Sequence, residues 1–562
     1  MKSGQREQQK RQRRIAIFAL VLLIVMAASV LLEATAARAQ EARDIAFPVV
    51  THYPAPSGTE AAPRREIAPA YGVYNNAEND DYAPTRQEVE LFVAKARVLM
   101  RGARLLLLND FAQAQEGIDA VQVVNNVPVE GALYTLFLPP GWNRAGNYPV
   151  VLSGNGAGTS NNRRLYGGQE IYAPVIAWNA TREGRNGVIL AVSNCGGTES
   201  QGVDEKTLRS VGAFFDFIAQ HGGDRHNAVT TGGSRGGGTA LVWAANPLDL
   251  DYTVRAVFAH VPPTHYGSLG LTSILTYPAL GTIAELVGGE GASRFDAGPE
   301  TMETRLPDVL EILLGARDVE AANARSPVGV AERLRDKVVV ISEGTHDSFF
   351  QFALFLAFDR HLNALGIDHA TAIILGDGHG FSDWVYDQTL AYLNAITAGR
   401  DYQPPSGRFY FIKDGNRQVA LSDYLGRPVA ELPFTVELPA RSGAGLPIDV
   451  SACGGVGRAW RVAMTGPDGE EVWAGEGVFD ETECATFRLE TPAEPGVYGW
   501  TFRYGGEGIA PTNTPFRDER GCGVPAETVV TAAQPTLDDM FYRRGSLGFG
   551  IDQFIAQAEG CN

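Results

Sequence analysis

The chain has 562 residues, of which 44% are hydrophobic and 20% are charged, a composition typical of globular proteins with room for more than one core. Its formal net charge of −18 at pH 7 argues against a nucleic-acid partner, because binding to phosphates requires a basic surface. The 64 glycines and 31 prolines predict many turns and long loops.

Residues 1–39 have the layout of a secretory signal peptide. A basic start ends in Arg13 and Arg14, an apolar run covers residues 15–32, and an Ala-Arg-Ala stretch at 37–39 offers a cleavage site. No Ser or Thr precedes the arginine pair, which favours ordinary secretion over the twin-arginine route. We therefore expect an exported or periplasmic protein. The alternative is an uncleaved membrane anchor, because the apolar run is just long enough to span a bilayer.

Residues 40–117 are predicted to form an extension in front of the region that begins at residue 118. The part up to residue 85 is rich in Pro, Ala and Asn and is interpreted as extended chain. From Arg86 to Ala114, apolar residues recur at helical spacing, which predicts a helix that packs against the following region.

Apolar runs alternate with helical patterns over residues 118–402. Strands are predicted at ALYTLFL (132–138), YPVVLSG (148–154), GVILAVS (187–193), NAVTT (227–231), VRAVFAH (254–260), DKVVVISEG (336–344) and TAIIL (371–375). The alternation predicts an α/β fold with a doubly wound, mainly parallel sheet that helices cover on both faces. Residues 262–335 interrupt the rhythm and are interpreted as an inserted cap whose apolar residues line a pocket or pack on the core.

The helical patterns stop after residue 402, and alternating polar and apolar residues follow. Runs such as RFYFIK (408–413), WRVAM (460–464) and YGWTFRY (498–504) are separated by turn signals, as is typical of antiparallel strands. The pattern predicts an all-β sandwich domain with a C-terminal tail over residues 403–562.

The cysteines are concentrated in that last region. Cys453, Cys484, Cys522 and Cys561 lie there, and an even number clustered in an exported chain predicts two disulfides. Three pairings are possible, and we favour the pairing of sequence neighbours. The fifth cysteine, Cys195, is interpreted as a small buried apolar residue.

Five glycines surround one serine, Ser234, in the stretch NAVTTGGSRGGGTALVWA at residues 227–244. The segment GGSRG at 232–236 matches G-x-S-x-G, in which a nucleophilic serine stands on a strained turn between a strand and a helix. A phosphate-binding loop is disfavoured, because no lysine follows the glycines. A plain packing turn is the remaining alternative. The predicted strand before Ser234 and the predicted helix after it favour the nucleophile.

A serine nucleophile requires a base, and the base requires an acid that orients it. Asp347 follows the strand that ends at Gly344 and is the candidate acid, with Glu343 as the alternative. His379 lies in a glycine loop after the next strand and is the candidate base. The order Ser, Asp, His along the chain is the one expected for this kind of sheet.

Three other histidines compete with His379. His346 lies beside the acid but has no strand of its own to position it. His260 ends the strand before the cap and is interpreted as a structural or pocket-lining residue. His265 is interpreted as a surface or cap residue.

The oxyanion of an acyl-transfer intermediate requires two backbone N–H donors. We expect the first from Arg235, directly after the serine. The second is expected from Ala157 in the glycine loop GNGAGTS at 154–160, with Asn155 as the alternative. A tight turn without a catalytic role has the same appearance in sequence.

Residues 118–400 resemble the α/β-hydrolase superfamily, in particular its prolyl-oligopeptidase-like and secreted-esterase branch. The resemblance is carried by LFLPPGW followed by YPVVLSGNGAG, and by GGSRGG, SPVGVAERLRDKVVVISEGTHD and GDGHGF. It implies that Ser234 is the nucleophile, Asp347 the acid and His379 the base. The family's usual His-Gly in the oxyanion loop is absent, which leaves the second donor open. A hydrolase followed by a β-rich region is also similar to the cocaine-esterase and X-prolyl dipeptidyl peptidase group.

These features predict an exported serine hydrolase that cleaves a small-molecule or polymeric ester without a metal or cofactor. The mature region before the hydrolase is too short for the propeller of the related peptidases, which favours an esterase over the first alternative, a peptidase. The second alternative is a non-catalytic binding protein with a hydrolase fold. We expect contact with a membrane only if the N-terminal segment is not cleaved.

Overall fold

The computed structural model describes residues 105–108, 110–130, 132–154, 173–182, 187–193, 203–266, 319–345, 347, 352–375, 377–414, 417–426, 428–429, 431–438, 441–445, 447–505, 516–517, 523–524 and 527–532. The predicted signal peptide lies outside these residues, and so does the part of the predicted cap between residues 267 and 318. Within the described residues, no helix is long and apolar enough to cross a membrane.

The largest sheet in the described part of the chain has eleven strands and is mainly parallel. Its strands are β1 (Leu105–Leu108), β2 (Val121–Val129), β3 (Ala132–Leu138), β4 (Tyr148–Gly154), β5 (Ile189–Ser193), β6 (Gly223–Gly233), β7 (Val254–His260), β8 (Val338–Gly344), β9 (Ala370–Leu375), β10 (Gly407–Asp414) and β11 (Arg417–Ala420), in the spatial order β1-β2-β3-β5-β4-β6-β7-β8-β9-β10-β11. Every neighbouring pair from β5 to β10 is parallel. β3 is antiparallel to both of its neighbours.

Helices connect the strands and cover both faces of this sheet. They are α1 (Ala173–Ala180), α2 (Glu205–Ala219), α3 (Arg235–Ala245), α4 (Val319–Ala324), α5 (Pro327–Val330), α6 (Phe352–Ala364), α7 (Asp383–Thr397) and α8 (Leu421–Leu425). Val150 and Leu152 of β4 belong to one apolar cluster with α2 and α3, whereas Val151 belongs to a second cluster with α1 and α7. Successive residues of a strand point to opposite faces, so both faces are buried, as predicted for a parallel sheet.

The helix predicted to end at Ala114 is wrong over its described part. Leu105–Leu108 is a strand that pairs in parallel with β2, and a short 3-10 turn follows at Phe111–Gln113. Four consecutive leucines fit a helix and a buried strand equally well by pattern, and the free edge of β2 decides between them.

The boundary placed between residues 402 and 403 is also wrong as a boundary between the sheets. The run RFYFIK lies in β10, which pairs in parallel with β9 from Gly407 opposite Ala370 to Ile412 opposite Leu375. β11 then pairs with β10 in an antiparallel hairpin. Phe411 and Ile412 are buried on opposite faces of the large sheet, which explains why both positions are apolar.

Two further sheets follow in the C-terminal region. Their strands are β12 (Thr435–Glu437), β13 (Arg441–Gly443), β14 (Pro447–Cys453), β15 (Ala459–Thr465), β16 (Glu471–Val478), β17 (Cys484–Glu490), β18 (Gly496–Tyr504) and β21 (Glu527–Thr531), with β19 (Phe516–Arg517) and β20 (Gly523–Val524) forming a small separate pair. The three-stranded sheet has the order β12-β14-β17, and the five-stranded sheet has the order β13-β21-β18-β15-β16. One apolar cluster takes Val450 from the first sheet and Val462 and Phe502 from the second.

Cys453 and Cys484 form a disulfide between β14 and β17, where they are register partners. This confirms the favoured pairing for these two cysteines. Cys195, Cys522 and Cys561 lie outside the described residues.

Candidate active site

Ser234 stands alone between the last residue of β6 and the first residue of α3. Its backbone has φ 58° and ψ −135°, a left-handed conformation that is uncommon for a residue other than glycine. Such conformations persist only where the surroundings fix them. Here the N–H of Ser234 donates to the carbonyl oxygen of His260 at 3.0 Å, and the carbonyl oxygen of Ser234 accepts from the N–H of Gly237 at 2.8 Å.

The hydroxyl of Ser234 does not cap the helix that follows it. A serine at this position usually accepts a hydrogen bond from the first turn, but α3 has no side-chain cap bond from Ser234. The side chain is half-buried. The turn therefore presents the hydroxyl outside the hydrogen-bonding ladder of the helix, as a nucleophile requires.

The glycines around Ser234 are required by close packing. A Cβ atom at Gly232 would lie 2.4 Å from the carbonyl oxygen of Gly236, and one at Gly233 would lie 1.8 Å from the ring of Phe381. A Cβ atom at Gly154, at the end of β4, would also meet the carbonyl oxygen of Gly236, at 2.8 Å. The packing turn and the strained serine are therefore two aspects of one structure, and they do not compete as explanations.

Asp347 and His379 are brought together by the loops after β8 and β9. Nδ1 of His379 lies 2.7 Å from Oδ2 of Asp347, across 32 residues of sequence. The Asp347 side chain is fully buried, whereas the His379 side chain is 20% exposed. A buried carboxylate that accepts from Nδ1 holds the imidazole in the tautomer whose Nε2 can accept a proton.

All three residues follow strands of the same parallel run. Ser234 follows β6, Asp347 follows β8 and His379 follows β9, and the carboxyl ends of parallel strands meet at one edge of a sheet. The strand–serine–helix turn has the form of a nucleophile elbow. The order Ser, Asp, His along the chain is that of an α/β-hydrolase.

Glu343, the alternative acid, is held in a different state. It is fully buried near the end of β8. Burial raises the pKa of its carboxyl well above the usual value, and the neighbouring charge of Asp347 raises it further. A neutral carboxyl orients an imidazolium poorly, and the imidazole of His379 pairs with Asp347.

Of the expected oxyanion donors, one lies in the described part of the chain. Arg235 is the first residue of α3, where main-chain N–H groups project from the positive end of the helix. Ala157 and Asn155 lie outside the described residues, as does His346.

His265 lies in the segment interpreted as the cap and is half-buried. Its Nδ1 lies 2.9 Å from the hydroxyl of Thr264. Burial, and then the nearby His361, lower the pKa of its imidazole to about 4. His260 is completely buried, and burial lowers its pKa to about 3, which agrees with a structural residue.

Sequence reasoning missed Gln418, which holds the loop that carries His379. Its side-chain amide donates to Oδ2 of Asp377 at 3.1 Å and to the carbonyl oxygen of Phe381 at 3.1 Å. Its side-chain oxygen accepts from the N–H of Asp383 at 3.0 Å. Gln418 lies on β11, which the sequence pattern had placed in the other domain.

No protein-family model and no curated protein matches the chain. The solved structures that resemble it include a thermophilic esterase from the Planctomycetes species Thermogutta terrifontis with propionate bound, at 16% identity over 51% of this chain and 97% of the esterase, with a TM-score of 0.32. A puromycin-hydrolyzing peptidase of Mycobacterium tuberculosis matches at 14% identity over 51% of this chain and 42% of the peptidase, with a TM-score of 0.33. A Bacteroides ovatus protein designated a dipeptidyl aminopeptidase IV matches at 13% identity over 50% of this chain and 36% of its own, with a TM-score of 0.33. At TM-scores this low the similarity to these structures defines no function for this chain.

Proposed function

We propose that the protein is an exported serine hydrolase of the α/β-hydrolase type that cleaves an ester through an acyl-enzyme. The observation that carries the proposal is the 2.7 Å contact between His379 and Asp347, at the sheet edge where the strained turn presents Ser234. Such a carboxylate–imidazole pair orients a histidine for general base catalysis, and a strained turn between a strand and a helix exposes a nucleophilic serine.

In the proposed reaction, Oγ of Ser234 attacks the ester carbonyl while Nε2 of His379 accepts the hydroxyl proton. The oxyanion binds the N–H groups of Arg235 and, we propose, Ala157. The tetrahedral intermediate collapses as His379 returns the proton to the leaving alcohol, and the acyl group stays on Ser234. Water then attacks the acyl-enzyme with His379 as base, His379 returns that proton to Oγ of Ser234 as the acyl–Oγ bond breaks, and the carboxylic acid leaves. Asp347 remains ionised throughout.

A fluorophosphonate probe tests this proposal directly, because it labels only activated serines. We expect labelling of the wild type and of Ser422→Ala, a matched control at an exposed serine in α8. We expect no labelling of Ser234→Ala and a loss in kcat of about 10⁴-fold or more. A wild-type protein that stays unlabelled would contradict the proposed enzymatic activity and favour the alternative of a non-catalytic binding protein.

The same machinery serves esters and peptides, so the bond cleaved requires its own test. The resemblance of the sequence to secreted esterases favours an ester. A panel of p-nitrophenyl esters and aminoacyl p-nitroanilides on the purified protein separates the two. Turnover of anilides without turnover of any ester would show that the protein is a peptidase and that the proposal of an esterase is wrong.

We also propose that residues 1–39 are removed on export and that the C-terminal region is a β-sandwich. The Cys453–Cys484 disulfide supports an oxidising compartment. The apolar cluster shared by the three-stranded and five-stranded sheets supports a sandwich. Sequencing the N-terminus of the exported protein should begin at Gln40, and a start at Met1 would contradict the cleavage.

A further inference from the structure

His260 connects the turn that carries Ser234 with the loop that carries His379. It is the last residue of β7, directly beside Gly233 of β6 in the sheet register. Its carbonyl oxygen accepts from the N–H of Ser234 at 3.0 Å. Its side-chain Nδ1 accepts from the N–H of Ser382 at 3.1 Å, three residues after His379. One residue thus holds the main chain of both loops.

The rings around His260 tighten the same junction. The imidazole packs edge-on against Phe381, with ring centroids 5.5 Å apart, and at a tilt of 42° against Tyr386, with centroids 4.4 Å apart. The Phe381 ring occupies the space in which a side chain at Gly233 would lie. Phe381, at the end of the His379 loop, therefore packs directly against Gly233, the residue before Ser234.

The imidazole of His260 is an unfavourable choice if packing is its only role. Because Nδ1 accepts a hydrogen bond and burial keeps the ring neutral, the ring proton is on Nε2. Nε2 is buried and has no hydrogen-bond partner among the described residues. An apolar side chain of similar size would avoid that desolvated N–H group. The advantage of histidine at this position is the acceptor Nδ1.

We propose that His260 is a positioning residue for hydrolysis, which fixes the His379 loop against the Ser234 turn through its Nδ1 and its carbonyl oxygen. The inference rests on the proposed function for its catalytic consequence. The hydrogen bonds themselves do not depend on it.

The first test compares His260→Asn with His260→Leu. Asparagine places its Oδ1 close to the position of Nδ1 and keeps the acceptor, whereas leucine keeps the bulk and loses the acceptor. We expect kcat of the leucine variant to fall by about a hundredfold, since small misplacements of catalytic groups have effects of this size, with a smaller change in KM. We expect asparagine to restore most of the loss. The acidic limb of the kcat/KM profile, which reports the base, should shift in the leucine variant alone.

The second test removes the other partner of the same bond. Ser382 has φ −80°, which proline can adopt, so Ser382→Pro deletes the N–H donor and places a ring carbon where the amide hydrogen pointed at Nδ1 of His260. Ser382 also caps α7 through its hydroxyl, and Ser382→Ala is the control that loses the cap but keeps the N–H. We expect a large fall in kcat for proline relative to alanine. Adding His260→Leu to Ser382→Pro should lower kcat little further, because both changes remove one bond.

Hydrogen exchange separates this inference from the proposed function. Peptides that cover residues 377–384 should exchange faster in His260→Leu than in the wild type and in His260→Asn, whether or not the protein hydrolyses any substrate. If the wild type is not labelled by the fluorophosphonate but exchange is faster in His260→Leu, the proposed hydrolysis is wrong and the role of His260 in holding the His379 loop stands. Equal exchange, or equal kcat and pH profiles for leucine and asparagine per labelled active site, would overturn the positioning role. If the leucine variant does not fold, the comparison of proline with alanine at Ser382 decides.

Discussion

The side chain of Gln418 donates to the carbonyl oxygen of Phe381 at 3.1 Å, two residues after the candidate base His379. It makes two further bonds, to Asp377 before the base and to Asp383 after it. One side chain on β11 therefore holds both ends of the His379 loop. The edge hairpin of the large sheet is part of the architecture of the site.

Gln418→Ala should lower kcat about tenfold and change KM less, because the loop loses three hydrogen bonds while the substrate contacts remain. The matched control is Gln388→Ala, which removes one bond to the hydroxyl of Tyr402. Steady-state kinetics on both variants, normalised to fluorophosphonate labelling, measure the effect. An equal change in the two variants would argue that Gln418 contributes to stability alone.

The role of Gln418 shows where sequence patterns reach their limit. The alternating strands and helices predicted the parallel sheet, because burial on both faces leaves continuous apolar runs such as Val150 to Leu152. The candidates Asp347 and His379 came from the base and the acid that a serine nucleophile requires, together with the order Ser, Asp, His expected for this fold. The sequence pattern assigns the last two strands, β10 and β11, to the second domain, because the helical patterns stop before them and an antiparallel hairpin at the edge of the sheet resembles the strands that follow. The partner of a strand is a long-range property, and no local pattern encodes it.

Asp347→Asn should reduce kcat by about 10⁴-fold, whereas Glu343→Gln should leave it within about threefold of the wild type. The amide at position 347 can no longer stabilise the imidazolium of His379. Glutamine at 343 has the shape of the neutral carboxyl that burial and the charge of Asp347 already enforce. Single-turnover kinetics with a p-nitrophenyl ester compare the two, and the reverse ranking would reassign the acid to Glu343.

The raised pKa of Glu343 also predicts that stability depends on pH. Its contribution to the free energy of unfolding is complete below its ordinary pKa of 4.5 and is lost as the pH rises from there through the folded pKa. Glu343→Gln removes this titration. Urea unfolding at a series of pH values above 4.5 should show a smaller decline for the variant, and parallel curves would contradict the buried neutral carboxyl.

Non-reducing peptide mapping of the purified protein should recover Cys453 linked to Cys484. We further expect Cys522 to be linked to Cys561. Cys195 is then expected to be a free thiol, because the four clustered cysteines pair with one another and leave it over. Cys453→Ser should lower the free energy of unfolding of the C-terminal region by about 2–4 kcal/mol. A bridge from Cys195 to any of the four would refute the assignment.

The junction between the large sheet and the C-terminal region predicts an acid-sensitive step. Asp359 of α6 lies 3.0 Å from Nε2 of His369, accepts from the hydroxyl of Thr371, and pairs with Arg408 of β10 at 2.7 Å. Arg408 also pairs at 2.7 Å with Glu483, the residue before the disulfide cysteine of β17. The ion pair thus connects the large sheet with the sheet that the disulfide crosslinks.

Burial alone would raise the pKa of Asp359, but the hydrogen bonds from His369 and Thr371 and the charge of Arg408 outweigh it and lower the pKa to about 2. A depressed folded-state pKa contributes stability above the ordinary value of 3.8 and loses it as the pH falls through the folded value. The shift corresponds to about 2 kcal/mol, which should disappear between roughly pH 4 and pH 2. Unfolding followed by intrinsic fluorescence at a series of acidic pH values measures it. Asp359→Asn should be less stable than the wild type at pH 7 and should show a flatter profile in this window, whereas Asp368→Asn, at an exposed site near the end of the same connection, should retain the wild-type slope. Equal slopes for Asp359→Asn and the wild type would mean that the ion pair at this junction does not couple folding to acid.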